Sequence, residues 1–68
     1  MDGFRLDGKT AVITGAAMGI GFGISEAFVS AGANTFLVDR DGEALRAAAG
    51  KLEGRGTKVS IFEIDLTD

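Results

Sequence analysis

The chain has 68 residues, a net charge of −3 from seven basic and ten acidic side chains, and 46% apolar residues. It contains no His, Cys, Tyr, Trp or Pro, which excludes a Cys/His zinc finger, a disulfide framework, a thiol nucleophile and an imidazole or phenolic acid–base group. The apolar content is too high for a disordered tail. Basic residues are scattered singly, against the clustered positive patch of a nucleic-acid binder, so no nucleic-acid partner is expected. No apolar run approaches the ~18 residues of a membrane span. Residues 1–7 (MDGFRLD) lack the apolar stretch and cleavage site of a secretion signal, so a cytoplasmic protein without a membrane partner is expected.

In chain order, the β-branched, apolar run Lys9 to Thr14 predicts a first strand, stopped by Gly15. After a glycine-rich turn, Ile20, Ile24, Ala27, Phe28 and Ala31 recur at helical spacing and predict a first helix, with Gly32 placed to close it in a left-handed conformation. Asn34 to Val38 predicts a second strand ending at Asp39, and Asp41 is placed to cap a second helix. Leu45, Ala48, Ala49 and Leu52 form its apolar stripe, Glu43 and Arg46 its wet side, and Gly54 and Gly56 its end. Lys58 to Ile64 predicts a third strand, with residues 65–68 as its exit turn.

The order β-α-β-α-β predicts an α/β fold with a parallel sheet and right-handed crossovers. A steadily advancing strand order would put both helices on one face. The strands are nevertheless apolar on both sides, Ala11 and Ile13 against Val12, and Phe36 and Val38 against Leu37. Strands of this kind are covered on both faces. The 68 residues are therefore expected to be the first part of one larger domain, ending after its third strand, with further chain or a partner on the second face.

Two glycine patterns compete for chemistry. Residues 3–10 (GFRLDGKT) match the phosphate loop of nucleoside triphosphatases letter for letter, but that loop needs a strand before it and a helix after it. Here a strand follows, so the match is expected to be only the turn into that strand. The run Thr14-Gly15-Ala16-Ala17-Met18-Gly19-Ile20-Gly21 has the required context, strand end to helix start, where N–H groups and the helix dipole favour a diphosphate. Gly15 would permit the turn, Gly19 the close approach of backbone to ligand, and Gly21 tight packing of the helix. Asp39 ends the second strand 18 positions after Gly21, near the ~20 expected for an acidic residue that accepts from a ribose. A carboxylate there repels a 2′-phosphate and favours NAD over NADP, while the adjacent Arg40 could stack on adenine or attract a phosphate. Asp65 and Leu66 leave the third strand on the same sheet edge, where the carboxylate and the following N–H could meet an adenine. No metal site is expected.

Taken together, Leu6-x-Gly8-Lys9, Thr14-Gly15-x-x-x-Gly19-Ile20-Gly21, Ala31-Gly32-Ala33, Val38-Asp39-Arg40 and Asp65-Leu66-Thr67 resemble the short-chain dehydrogenase/reductase family across essentially the whole chain. The resemblance implies a three-layer Rossmann-type fold, of which this is the first β-α-β-α-β half. It implies diphosphate and ribose contacts at Gly15, Met18, Gly19 and Ile20, adenosine ribose binding at Asp39, and adenine contact at Asp65 and Leu66. Members preferring NADP often carry a basic residue just before the second glycine; here Met18 stands there. Family members pass hydride between a nicotinamide cofactor and a small alcohol or carbonyl substrate, and a homo-oligomer is expected. They are several times longer, with an Asn-Asn-Ala-Gly turn, a catalytic Ser and a Tyr-x-x-x-Lys pair that these residues lack. Lys9, Lys51 and Lys58 have no Tyr four places earlier, and Ser25, Ser30 and Ser60 are expected to be structural. The chain alone is therefore expected not to turn over substrate. The alternative is a non-catalytic half-Rossmann module that holds a nucleotide or dimerises through its uncovered sheet face.

Overall fold

The computed structural model describes residues 5–65. Strand β1 (Thr10–Thr14), helix α1 (Gly19–Ser30), strand β2 (Asn34–Asp39), helix α2 (Gly42–Leu52) and strand β3 (Val59–Glu63) follow one another in the expected order. The sheet runs β1-β2-β3, all parallel, with Val12 opposite Phe36 and Leu37 opposite Ile61. It is the first half of a Rossmann-type fold.

This register sorts the strand side chains between the two faces. Ala11, Ile13, Leu37, Val59 and Ile61 meet Val29, Leu45, Ala48 and Leu52 of the helices in one core. Leu37, Leu45 and Leu52 are fully buried, each worth roughly 2 kcal/mol relative to exposure. On the other face Val12, Phe36, Val38, Phe62 and Ile64 line an open apolar depression of about 400 Å³. The rings of Phe36 and Phe62 pack there at 5.6 Å, while Val12 and Phe62 remain 67% and 47% exposed.

Helix α2 follows its sequence pattern closely. The Asp41 carboxylate accepts from the Ala44 N–H at 3.0 Å, and Gly42, Leu45, Ala48 and Leu52 form the buried stripe, with Ala49 half-buried. Helix α1 forms where its spacing predicts, but only part of that spacing faces the core. Phe28 packs against the core and Ala31 is buried, whereas Ile20 is 84% and Ile24 43% exposed, Ala27 is also exposed, and the fully buried helix positions are Ser25 and Val29, with Phe22 packed beside them. Apolar residues surround this helix, so periodicity does not select a side. Small residues do: Gly21 and Ser25 let the helix axis approach the core, and the Ser25 hydroxyl stays satisfied by donating to the Gly21 carbonyl at 2.8 Å.

Gly32 closes α1 at φ +96°. Its N–H donates to Val29 and the Ala33 N–H to Phe28, both at 3.0 Å, which is a Schellman motif. Residues 5–9 reinforce that end: the Leu6 N–H donates to the Ala31 carbonyl at 2.7 Å, and Arg5 pairs with Asp7 at 2.8 Å and reaches the Ser30 carbonyl. A guanidinium at a helix C-terminus complements the dipole.

Candidate functional site

Parallel pairing places the carboxyl ends of β1, β2 and β3 along one edge, and Gly15, Asp39 and Asp65 emerge there. Gly15 and Gly19 bracket the turn between β1 and α1 at φ +62° and +60°, whereas no described non-glycine residue has a positive φ. A Cβ would cost roughly 1–2 kcal/mol at each position. An added Cβ on Gly19 would meet no atom, so the backbone there faces open space. Gly21 has the opposite surroundings: its Cβ would strike the Gly15 carbonyl oxygen and lie 2.7 Å from the Gly15 carbonyl carbon. The helix thus rests on the turn through hydrogen alone.

The turn is tied to β2 by two N–H groups. Ala16 donates to the Val38 carbonyl and Ala17 to Asp39 Oδ2, both at 3.2 Å. Met18, extended at φ −144°, precedes α1 without a side-chain cap, and the first turn of α1 holds no acidic residue. The positive end of the helix therefore stays uncompensated by side chains at the sheet edge. Met18 and Ile20 are 70% and 84% exposed beside it.

Asp39 is half-exposed, and its other oxygen accepts from the Asp41 N–H at 3.2 Å. The Ala17 N–H chiefly holds this carboxyl below the usual range. The Asp41 N–H adds to the effect, the Arg40 N–H and guanidinium contribute less, and desolvation opposes the shift. Arg40 is exposed. The Ile64 N–H donates to the Asp39 carbonyl at 2.9 Å, which brings the exposed Asp65 to the Asp39 side of the edge. Leu66, Gly3 and Phe4 lie outside the described residues. Thr10, the end of the triphosphatase-like match, opens β1 and not a helix.

Two features of this edge escape sequence spacing. Met18 and Gly19 border a groove of about 330 Å³ between α1 and α2, whose far wall is Ala44, Ala47, Ala48 and Lys51. Lys51 Nζ lies 5.6 Å from the Phe22 ring centroid across it. Glu63, at the end of β3, folds over Gly42, where a Cβ would strike its carboxylate. Both juxtapositions join residues distant in sequence, and neither has a local signature. Among the described residues, no cluster of three or more His, Cys, Asp or Glu could hold a metal ion, and no helix is long and apolar enough to cross a membrane.

Comparison with known proteins agrees with this geometry. The family model of the short chain dehydrogenases matches residues 9–68. The chain is 46% identical over 64 residues to 1-deoxy-11-beta-hydroxypentalenate dehydrogenase of Streptomyces exfoliatus, covering 94% of this chain and 23% of that protein. It superposes on L-sorbose reductase from Gluconobacter frateurii, solved with NADPH and L-sorbose, with a TM-score of 0.90 and 40% identity, over 100% of this chain and 26% of that one. A 7 alpha-hydroxysteroid dehydrogenase solved with NADH gives 0.89 and 35%, over 96% of this chain and 26% of that one. The chain thus spans about a quarter of the length of the relatives it matches. With its glycine turn, its sheet edge and this family match, the chain belongs to the short-chain dehydrogenase/reductase family.

Proposed function

We propose that the chain is the cofactor-binding first part of a dinucleotide-dependent oxidoreductase domain and holds NAD at the carboxyl edge of its sheet. The observation that carries this is the paired left-handed Gly15 and Gly19 with Gly21 seated on the Gly15 carbonyl, a backbone cradle with the uncapped start of α1 beside it. The residues present fit the group: backbone at Gly15, Met18, Gly19 and Ile20 would meet the diphosphate, Asp39 the adenosine ribose, and Asp65 and Leu66 the adenine. Arg40 would flank the adenine or ribose. Bound nicotinamide supplies the hydride acceptor or donor for an alcohol/carbonyl pair. Asp39 sets the NAD preference, because its carboxylate, stabilised in the ionised form by two N–H donors, repels a 2′-phosphate. The relatives with bound cofactor include both NADPH and NADH forms, so the preference rests on this carboxylate.

The 68 residues hold no Tyr, and hence no Tyr-x-x-x-Lys pair, so no turnover is expected from them. Amide chemical-shift mapping with millimolar NAD tests the assignment. Perturbations should cluster at Gly15–Gly21, Asp39–Arg40 and Asp65–Leu66, and a map confined to other residues would sink it. Weak binding is expected; a micromolar calorimetric affinity would contradict that part. Asp39→Ala should erode discrimination between NAD and NADP by several-fold, and an unchanged ratio would remove Asp39 from its role. The uncovered face around Val12 and Phe62 favours a second reading, a module that dimerises there, which sedimentation velocity distinguishes.

A further inference from the structure

Asp39 does more than present a carboxylate at the edge. Its Oδ2 holds the Ala17 N–H of the glycine turn, 22 residues earlier, and its Oδ1 holds the Asp41 N–H at the entrance to α2. Asp41 in turn accepts from Ala44 through its side chain and from Leu45 through its carbonyl. One side chain therefore links three elements: the turn after β1, the end of β2 and the first turn of α2. The Ala17 N–H, spent on Asp39, is withdrawn from the set that can face a diphosphate. The bond holds the Ala16–Ala17 peptide, one residue before Met18.

We propose that Asp39 is a positioning residue for the glycine turn, bracing the turn against the α2 cap independently of any contact with a ribose. The idea rests on the dinucleotide-binding assignment only for its functional consequence; the brace itself is a property of the ligand-free chain. The charged groups near Asp39 are Arg40 and Asp41 on its own segment, Glu63, its register partner on β3, and Asp65, which the Ile64–Asp39 hydrogen bond brings to the same side of the edge. The carboxylates among them are replaced one at a time below.

Nuclear magnetic resonance on the 68-residue chain supplies the test. As pH falls from 7 to 2.5, the Ala17 amide proton should move with the Asp39 carboxyl carbon at one midpoint. That movement should persist in Asp41→Asn, Glu63→Gln and Asp65→Asn and vanish in Asp39→Asn. An Ala17 amide that ignores Asp39, or lacks dispersion in the wild type, would overturn the brace. For function, the probe is inorganic pyrophosphate, which has no ribose. Asp39→Ala should bind it about fivefold more weakly than Asp39→Asn, since both variants lack the carboxylate charge and differ in the acceptor oxygen offered to the Ala17 N–H, the loss expected from about one hydrogen bond's ordering of the turn. Equal pyrophosphate affinity in Asp39→Asn and Asp39→Ala would overturn the bracing role. Pyrophosphate and NAD both failing to bind a chain whose Ala17 amide follows Asp39 would instead sink the dinucleotide assignment and leave the brace standing.

Discussion

Gly21 and Gly23 lie two residues apart in α1, and alanine at each should have opposite consequences. In a helix interior, Gly→Ala gains up to about 1 kcal/mol from backbone entropy. At Gly23 nothing lies within 4 Å of the added Cβ, so the substitution should stabilise the chain by about 0.5–1 kcal/mol. At Gly21 the Cβ strikes the Gly15 carbonyl oxygen, stands 2.7 Å from the Gly15 carbon and 3.1 Å from Ala16 Cα, all backbone atoms. Carbon pairs are comfortable at roughly 3.5–4.0 Å, so α1 must retreat by about 1 Å. Such overpacking costs typically 1–3 kcal/mol, and a gap of that size forfeits a quarter to a half of each contact made by Phe22, Ser25 and Val29. The clash outweighs the entropic gain, and Gly21→Ala should be destabilised by about 1–2 kcal/mol. The two variants should thus differ by about 1.5–3 kcal/mol, more than about 6 °C in Tm for a chain of this size. Urea and thermal unfolding by circular dichroism measure both. A Gly21→Ala chain as stable as Gly23→Ala would refute the claim that α1 rests on the Gly15 carbonyl.

Thr35 lies on the helix-facing side of β2 at 1% exposure, and its hydroxyl has no hydrogen-bond partner. An unpaired buried hydroxyl costs about 1–3 kcal/mol, so Thr35→Val should raise the unfolding free energy by about 1 kcal/mol; a loss of stability would show that the hydroxyl is satisfied. Acid should destabilise the fold. Asp39, chiefly through the Ala17 N–H, and Asp7, chiefly through Arg5, have folded pKa values lowered from 3.8, so their contribution is complete above the unfolded value and disappears as pH falls through the folded one. The unfolding midpoint should be level from pH 7 to 5 and drop below about pH 3.8, less steeply in Asp39→Asn/Asp7→Asn. A midpoint at pH 3 equal to that at pH 6 would contradict both assignments.

Features set within one turn or one strand were legible from residues alone. The alternation of strands and helices, the turn at Gly15, the left-handed Gly32 and the Asp41 cap follow from steric preferences and hydrogen-bonding groups carried by each segment. The placement of Gly15, Asp39 and Asp65 on one edge follows once the strands are known to be parallel. Tertiary packing decided the rest. The apolar residues surrounding α1 gave periodicity no side to choose, and the close approach at Gly21 and Ser25 turned Ile20 and Ile24 outward. The Asp39–Ala17 tie, the Met18–Lys51 groove and the fold of Glu63 over Gly42 join segments more than 20 residues apart. Their existence depends on the angle and distance at which the helices settle on the sheet, which no local preference encodes. The chain's own residues determine which groups reach the carboxyl edge; only the packed structure determines that Asp39 grips the glycine turn there.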